Sequence, residues 1–114
     1  MEGSPGKDGP QIKIVSIASG QSHCLALTNT GAVFSWGNGQ GGRLGHGDLV
    51  GKNSPEQIKS IAHLTIDRIE CGDAHSGAIT DKGIIHVWGV GLNGRLGTGV
   101  KMDESTPVTL MDFA

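Results

Sequence analysis

The stretch GQSHCLALTNTGAVFSWGNGQGGRLGHGD (Gly20–Asp48) decides the fold, because the chain says it twice. Fifty-two residues further on stands GDAHSGAITDKGIIHVWGVGLNGRLGTG (Gly72–Gly99), in register and without a gap. Gly20 falls on Gly72, His23 on His75, Thr28 on Thr80, Gly31 on Gly83 and Trp36-Gly37 on Trp88-Gly89. Arg43-Leu44-Gly45 falls on Arg95-Leu96-Gly97, and Pro55 on Pro107. From Ile17–Ile58 against Ile69–Leu110, 15 of 42 positions are identical, several times what chance gives. Self-similarity at a period near 50 residues marks a repeat architecture.

Each copy reads as four short strands. SHCLALT and AHSGAIT alternate apolar and polar residues. NTG and DKG follow as turn tripeptides, which places Gly31 and Gly83 at positive φ. AVFSW and IIHVW are rich in β-branched and aromatic residues. IKIVSIA and LTIDRIE come before, and PEQIKSI and PVTLM come after, each of the latter opened by a proline that cannot donate to a ladder. The expected strands lie near residues 12–18, 23–28, 32–36 and 55–60, and again 52 residues later. No segment carries an uninterrupted 3.6-residue period. The fold class is all-β: two tandem four-stranded antiparallel blades, repeat 1 at 12–62 and repeat 2 at 63–114, behind a flexible leader at 1–11.

Composition narrows the function. Nine basic and 11 acidic side chains give a net charge of −2, which is no footprint for nucleic acid or an anionic membrane. No apolar run approaches the roughly 20 residues of a membrane span, and MEGSPGKDGP has no signal-peptide core. Cys24 and Cys71 make no disulfide framework, so free thiols in an intracellular compartment, cytoplasmic or nuclear, are expected. Glycine is the outlier, at 20 of 114 residues against a usual ~7%. Much of it is periodic, which points to tight turns.

The combination G-x-x-H, W-G after a strand and G-x-L-G-x-G at fixed spacing resembles the repeat of the regulator of chromosome condensation family. The resemblance covers nearly everything after residue 11. It implies a propeller of seven blades, of which this chain holds two. It also implies the family's roles: nucleotide exchange on the Ran GTPase, chromatin docking, and substrate or partner recognition in ubiquitin ligases with HECT domains.

The chemical motifs reduce to architecture. Gly37-x-Gly39-x-x-Gly42 and Gly89-x-Gly91-x-x-Gly94 match the dinucleotide fingerprint, but glycines two apart in RLGHG and RLGTG break the helix that a pyrophosphate needs. His23 and His75 recur with the repeat, and a recurring histidine is expected to be architectural, donating to a backbone carbonyl near a strand start. His46, His63 and His86 lack metal-ligand spacing. Cys24 and Ser22 neighbour His23 in a strand and so point away from it, which removes a nucleophile–base pair. Trp36 and Trp88 are expected to pack between sheets.

What the copies share is fold; where they differ, specific binding has room. The divergent loops are Asp48–Ser54 against Val100–Thr106, and Asn38/Gln40/Gly41 against Val90/Leu92/Asn93. The candidate partner-binding residues are Asn38, Gln40, Asp48, Lys52, Asn53, Leu92, Asn93, Lys101, Asp103 and Glu104. No catalytic, cofactor or metal residue is assigned. The reading is a non-catalytic protein-interaction scaffold, part of a larger ubiquitin-ligase-type or signalling protein, with a small GTPase or a ubiquitination substrate as partner. The alternative is part of a guanine nucleotide exchange factor for a Ran-like GTPase. Two blades cannot close a ring, so self-association or a longer parent chain is expected, with Val33, Trp36, Ile85 or Trp88 on the open faces.

Overall fold

A computed structural model of the chain describes residues 12–90 and 103–110. The leader 1–11 and the candidates Leu92, Asn93 and Lys101 lie outside the described residues. Blade 1 comprises β1 (Ile14–Ser19), β2 (His23–Thr28), β3 (Val33–Gly37) and β4 (Lys52–Gln57). Blade 2 comprises β5 (Ile66–Cys71), β6 (His75–Thr80), β7 (Ile85–Gly89) and β8 (Glu104–Thr109). Each is an antiparallel sheet in sequence order. Helical structure among the described residues is limited to two three-residue 3-10 turns, at Gln40–Gly42 and Lys59–Ile61.

The copies agree down to single hydrogen bonds. Gly20 N–H donates to the His23 carbonyl, and Gly72 N–H to that of His75. A Cβ on either glycine would collide with the imidazole three residues on, so G-x-x-H is a ring laid over a bare backbone. Thr28 Oγ1 accepts from the N–H groups of Thr30 and Ala32, and Thr80 Oγ1 from those of Lys82 and Ile84. These bonds shape the hairpins in which Gly31 and Gly83 take φ of 87° and 85°, as the turn tripeptides require.

The fourth strand is displaced from its expected place. It starts at Lys52, not at Pro55, and its counterpart starts at Glu104, so both prolines lie inside strands. β4 and β8 are edge strands, and their ladders to β3 and β7 are irregular between Ser35 and Gly37 and between Val87 and Gly89. An edge at an irregularity is where a residue without an N–H is tolerated. Lys52, Asn53 and Glu104, taken for loop residues, are therefore strand residues.

A bulge in each inner strand sets what faces the neighbouring blade. The register slips between Ile14 and Ser16 and between Ile66 and Arg68. Two isoleucines three apart thus pair on the same side: Ile14 with Thr28 and Ile17 with Ala26, Ile66 with Thr80 and Ile69 with Ala78. Ile66, Ile69, Ala78 and Trp88 of blade 2 pack against Leu25, Leu27 and Val33 of blade 1, closed by Ile58 and Ile61 from the connection. The core lies between the blades. This corrects the expected open faces in part: Val33 and Trp88 are buried in the seam, whereas Trp36 and Ile85 are half-buried on the faces turned away from it and Ile12, Ile14 and Ile17 are exposed.

The hairpin glycines are equal in backbone and unequal in surroundings. A Cβ on Gly31 would meet Thr65 and the backbone of Ile66 at about 3 Å, whereas one on Gly83 would meet nothing within 4 Å. Both Gly→Val substitutions carry the left-handed penalty of roughly 1–2 kcal/mol. Gly31→Val is expected to cost clearly more, and paired thermal unfolding measures the difference. Equal losses would show that the hairpin of blade 1 does not abut blade 2.

Candidate functional site

The residues common to both copies converge on the seam. After β3, the chain turns through Gly41 and Gly42 and again at Gly45 and Gly47, all at positive φ. Every one of these glycines lies against blade 2. A Cβ would meet Val90 at Gly41, Ser105 at Gly42, the Trp88 indole at Gly45 and Thr106 at Gly47. Gly47 N–H donates to the Ser105 carbonyl at 2.8 Å. The run GQGGRLGHG is thus a latch that closes blade 1 on blade 2, and its glycines permit backbone to lie directly on an indole and a strand.

Polar groups fix the latch from below. Ser76, fully buried at the start of β6, donates its hydroxyl to the Arg43 carbonyl at 2.8 Å. His23 Nε2 lies 2.9 Å from the Ser76 hydroxyl oxygen. The single hydroxyl hydrogen goes to Arg43, so His23 supplies the hydrogen of the second bond and is the Nε2–H tautomer. His23 is architectural, but its partner is a serine hydroxyl of the next blade and not the backbone carbonyl expected. Burial first, then the Arg43 guanidinium, lower the His23 pKa to about 4, the His75 backbone offsetting part of this. Arg43 is itself buried, with Nε on the Gln40 carbonyl and Nη1 on Ser22 Oγ, both at 2.9 Å. Ser35 Oγ donates to the Leu44 carbonyl at 2.7 Å and stands 2.9 Å from His46 Nε2. At Cys71 burial pushes the thiol up to about 11, a hydrogen bond with Ser76 offsetting part of this, so it is neutral at physiological pH.

None of these contacts forms a catalytic constellation. His23 pairs across β2–β3 with Gly37 and Cys24 with Trp36, so imidazole and thiol occupy opposite faces. Ser22 is occupied by Arg43. The dinucleotide-like glycines lead into a three-residue turn with Gly41 in left-handed geometry, which offers no helix N-terminus. Among the described residues, no three His, Cys, Asp or Glu side chains are placed to hold a metal ion, and no helix is long and apolar enough to cross a membrane.

The candidates Asn38 and Gln40 are exposed, joined by Gln40 N–H on Asn38 Oδ1 at 2.7 Å. Asp48 is exposed and accepts from Val50 N–H at 3.1 Å. Asp48 and Lys52 share the wall of an open groove of about 240 Å³ with His46, Glu56, Lys59 and Thr106. Lys52, half-buried, and the exposed Glu56 approach to 3.7 Å, a long surface contact that contributes little. Asn53 and Asp103 are exposed and Glu104 half-buried. Sequence reading missed Ser35 and Ser76. Neither recurs, since Val87 and Cys24 stand at the matching positions, so the repeat could not reveal them.

Two antiparallel four-stranded blades, joined by a glycine latch and without a catalytic constellation among the described residues, define a propeller-blade pair. The chain belongs to the regulator of chromosome condensation (RCC1) repeat family, whose profiles match residues 30–79 and 14–43. The first match runs from the β2–β3 hairpin to β6, so the sequence repeat spans the seam rather than one blade. The human E3 ubiquitin-protein ligase HERC2 is 45% identical over 101 residues, covering 85% of this chain and 2% of the ligase. The Arabidopsis thaliana ultraviolet-B receptor UVR8 is 41% identical over 96 residues, covering 84% of this chain and 22% of the receptor. The crystal structure of Prp20p from Saccharomyces cerevisiae, described with its binding properties to Gsp1p and histones, superposes with a TM-score of 0.79 at 24% identity. That match covers 91% of this chain and 27% of Prp20p. The chain therefore spans about a quarter or less of these proteins.

Proposed function

We propose that the chain is a non-catalytic protein-interaction scaffold: two adjoining propeller blades, units 12–62 and 63–114, within a protein of ubiquitin-ligase or signalling type. The observation that supports this most is where the chemistry-bearing residues go. His23, Arg43, Ser76 and the latch glycines are taken up by blade-to-blade contacts. The exposed polar residues left over are those that differ between the copies, on loops held by a rigid sheet. The partner is a protein, of which a ubiquitination substrate is the form that 45% identity to HERC2 supports. The likeness to Prp20p at 24% identity is one of fold, so nucleotide exchange is not carried forward. The half-buried free thiols Cys24 and Cys71 fit an intracellular site, cytoplasmic or nuclear.

The test combines Asn38→Ala, Gln40→Ala and Asp48→Ala. The hydrogen bonds of the exposed Asn38 and Asp48 side chains stay within their own loop, so the triple variant is expected to lose no more than about 1–2 kcal/mol of stability. Proximity labelling in cells is expected to lose most of the partners that the native chain marks. An unchanged set of labelled proteins, or accelerated nucleotide release from a Ran-like GTPase, would overturn the proposal.

A further inference from the structure

Three of the chain's four prolines follow a hydroxyl residue: Ser4-Pro5, Ser54-Pro55 and Thr106-Pro107. The last two pairs stand at matching places in the edge strands β4 and β8, and Ser54 and Thr106 are exposed. The ladder is irregular there. Val87 pairs with Val108 and Gly89 with Glu104, so Ser105, Thr106 and Pro107 stand opposite the single residue Trp88. Pro107 has no N–H to give the ladder and keeps Thr106 in the extended region. An exposed hydroxyl on an extended segment, with proline next, is the substrate form that proline-directed protein kinases take.

Thr106 also has a charged groove beside it. Both walls lie within the described chain: His46, Asp48, Lys52 and Glu56 come from blade 1, Lys59 from the connection and Thr106 from blade 2, around about 240 Å³. The latch fixes the rim, since Gly47 N–H bonds the Ser105 carbonyl at 2.8 Å. Lys52 and Lys59 bring ammonium groups, and Asp48 and Glu56 are the opposing charges. Asp48 is engaged by Val50 N–H at 3.1 Å, and Glu56 reaches Lys52 only at 3.7 Å. A phosphate carries nearly twice the charge of a carboxylate and three strong acceptor oxygens, so it displaces Glu56 from Lys52. His46 stays out of this exchange: it gives its Nε2–H to Ser35, whose own hydrogen goes to the Leu44 carbonyl.

We propose that Thr106 is a phosphorylation site for a proline-directed kinase, and that its phosphate, held by Lys52 and Lys59, ties β8 to β4 and the connection across the seam. In the transfer, Thr106 Oγ1 forms a P–O bond to the γ-phosphorus of a nucleoside triphosphate. The bond from that phosphorus to the bridging oxygen breaks, the nucleoside diphosphate leaves and the hydroxyl proton passes to the kinase's base.

A chain carrying Ser4→Ala and Ser54→Ala keeps Thr106 as its one hydroxyl before proline. Incubated in the folded state with a purified proline-directed kinase and ATP, it is expected to gain one phosphate, mapped to Thr106 by mass spectrometry. Thr106→Val or Pro107→Ala is expected to prevent this. The phosphorylated chain is expected to resist urea better, its folded-to-unfolded ratio raised about tenfold at low salt and less at high salt. Removing both ammonium groups, by Lys52→Ala with Lys59→Ala, is expected to abolish that gain. A folded chain left unmodified at Thr106 would overturn the proposal. So would a phosphorylated chain no more stable than the unmodified one, or a gain that survives the loss of both lysines.

Discussion

Gly45→Ala is expected to destabilise the chain by about 2–5 kcal/mol. Two costs add. The backbone at Gly45 sits at φ 79°, which a residue with a Cβ adopts at roughly 1–2 kcal/mol. The Cβ would also stand 2.8–3.1 Å from three atoms of the Trp88 indole. Trp88 is fully buried in the shared core and cannot step aside, so overpacking adds about 1–3 kcal/mol. Urea unfolding of native and variant chains at equal concentration reads the difference. A loss below about 1 kcal/mol would show that the latch does not rest on Trp88.

Acidification from pH 7 to pH 4 is expected to remove up to about 3 kcal/mol of stability through His23 alone. In the unfolded chain this histidine titrates near its ordinary 6.5, and in the folded chain at about 4. Above pH 6.5 both states hold it neutral and its stabilisation is complete. As the pH falls below 6.5 the unfolded state takes up a proton that the folded state refuses, and the balance tilts toward unfolding until about pH 4. Burial lowers the pKa of His46 and His86 as well, so they act in the same direction. His23→Gln lowers stability at neutral pH but is expected to flatten its decline between pH 6.5 and 4. A native chain equally stable at both ends of that window would contradict a buried, neutral His23.

The strands and turns were legible because the period of 52 residues exposes them twice. β2 and β6 fall where alternation puts them, and Gly31 and Gly83 carry the φ their tripeptides demand. What escaped was relational. Pro55 and Pro107 read as strand openings, since nothing local tells an edge with an irregular ladder from a start. The bulges that turn Ile14 and Ile17, or Ile66 and Ile69, to one side break strict alternation, so the inner isoleucines were not recognised as the seam. Repeat logic named His23 and the latch glycines as architecture, but Ser76 and Ser35 do not recur and gave no signal. Divergence between the copies singled out Asn38, Gln40 and Asp48 as candidates, and the structure leaves all three exposed.

The central claim is that the buried polar residues His23 and Ser76 join blade to blade, and a double-mutant cycle across the seam tests it most directly. His23 belongs to β2 and Ser76 to β6, 53 residues apart and 2.9 Å between Nε2 and Oγ. Unfolding free energies of the native chain, His23→Ala, Ser76→Ala and the double variant give their coupling at pH 7. A buried bond between neutral groups predicts a coupling of about 0.5–3 kcal/mol, with the double variant less destabilised than the two single losses added together. Strict additivity, a coupling of zero within error, would mean that the two residues do not meet and that the blades are held together some other way.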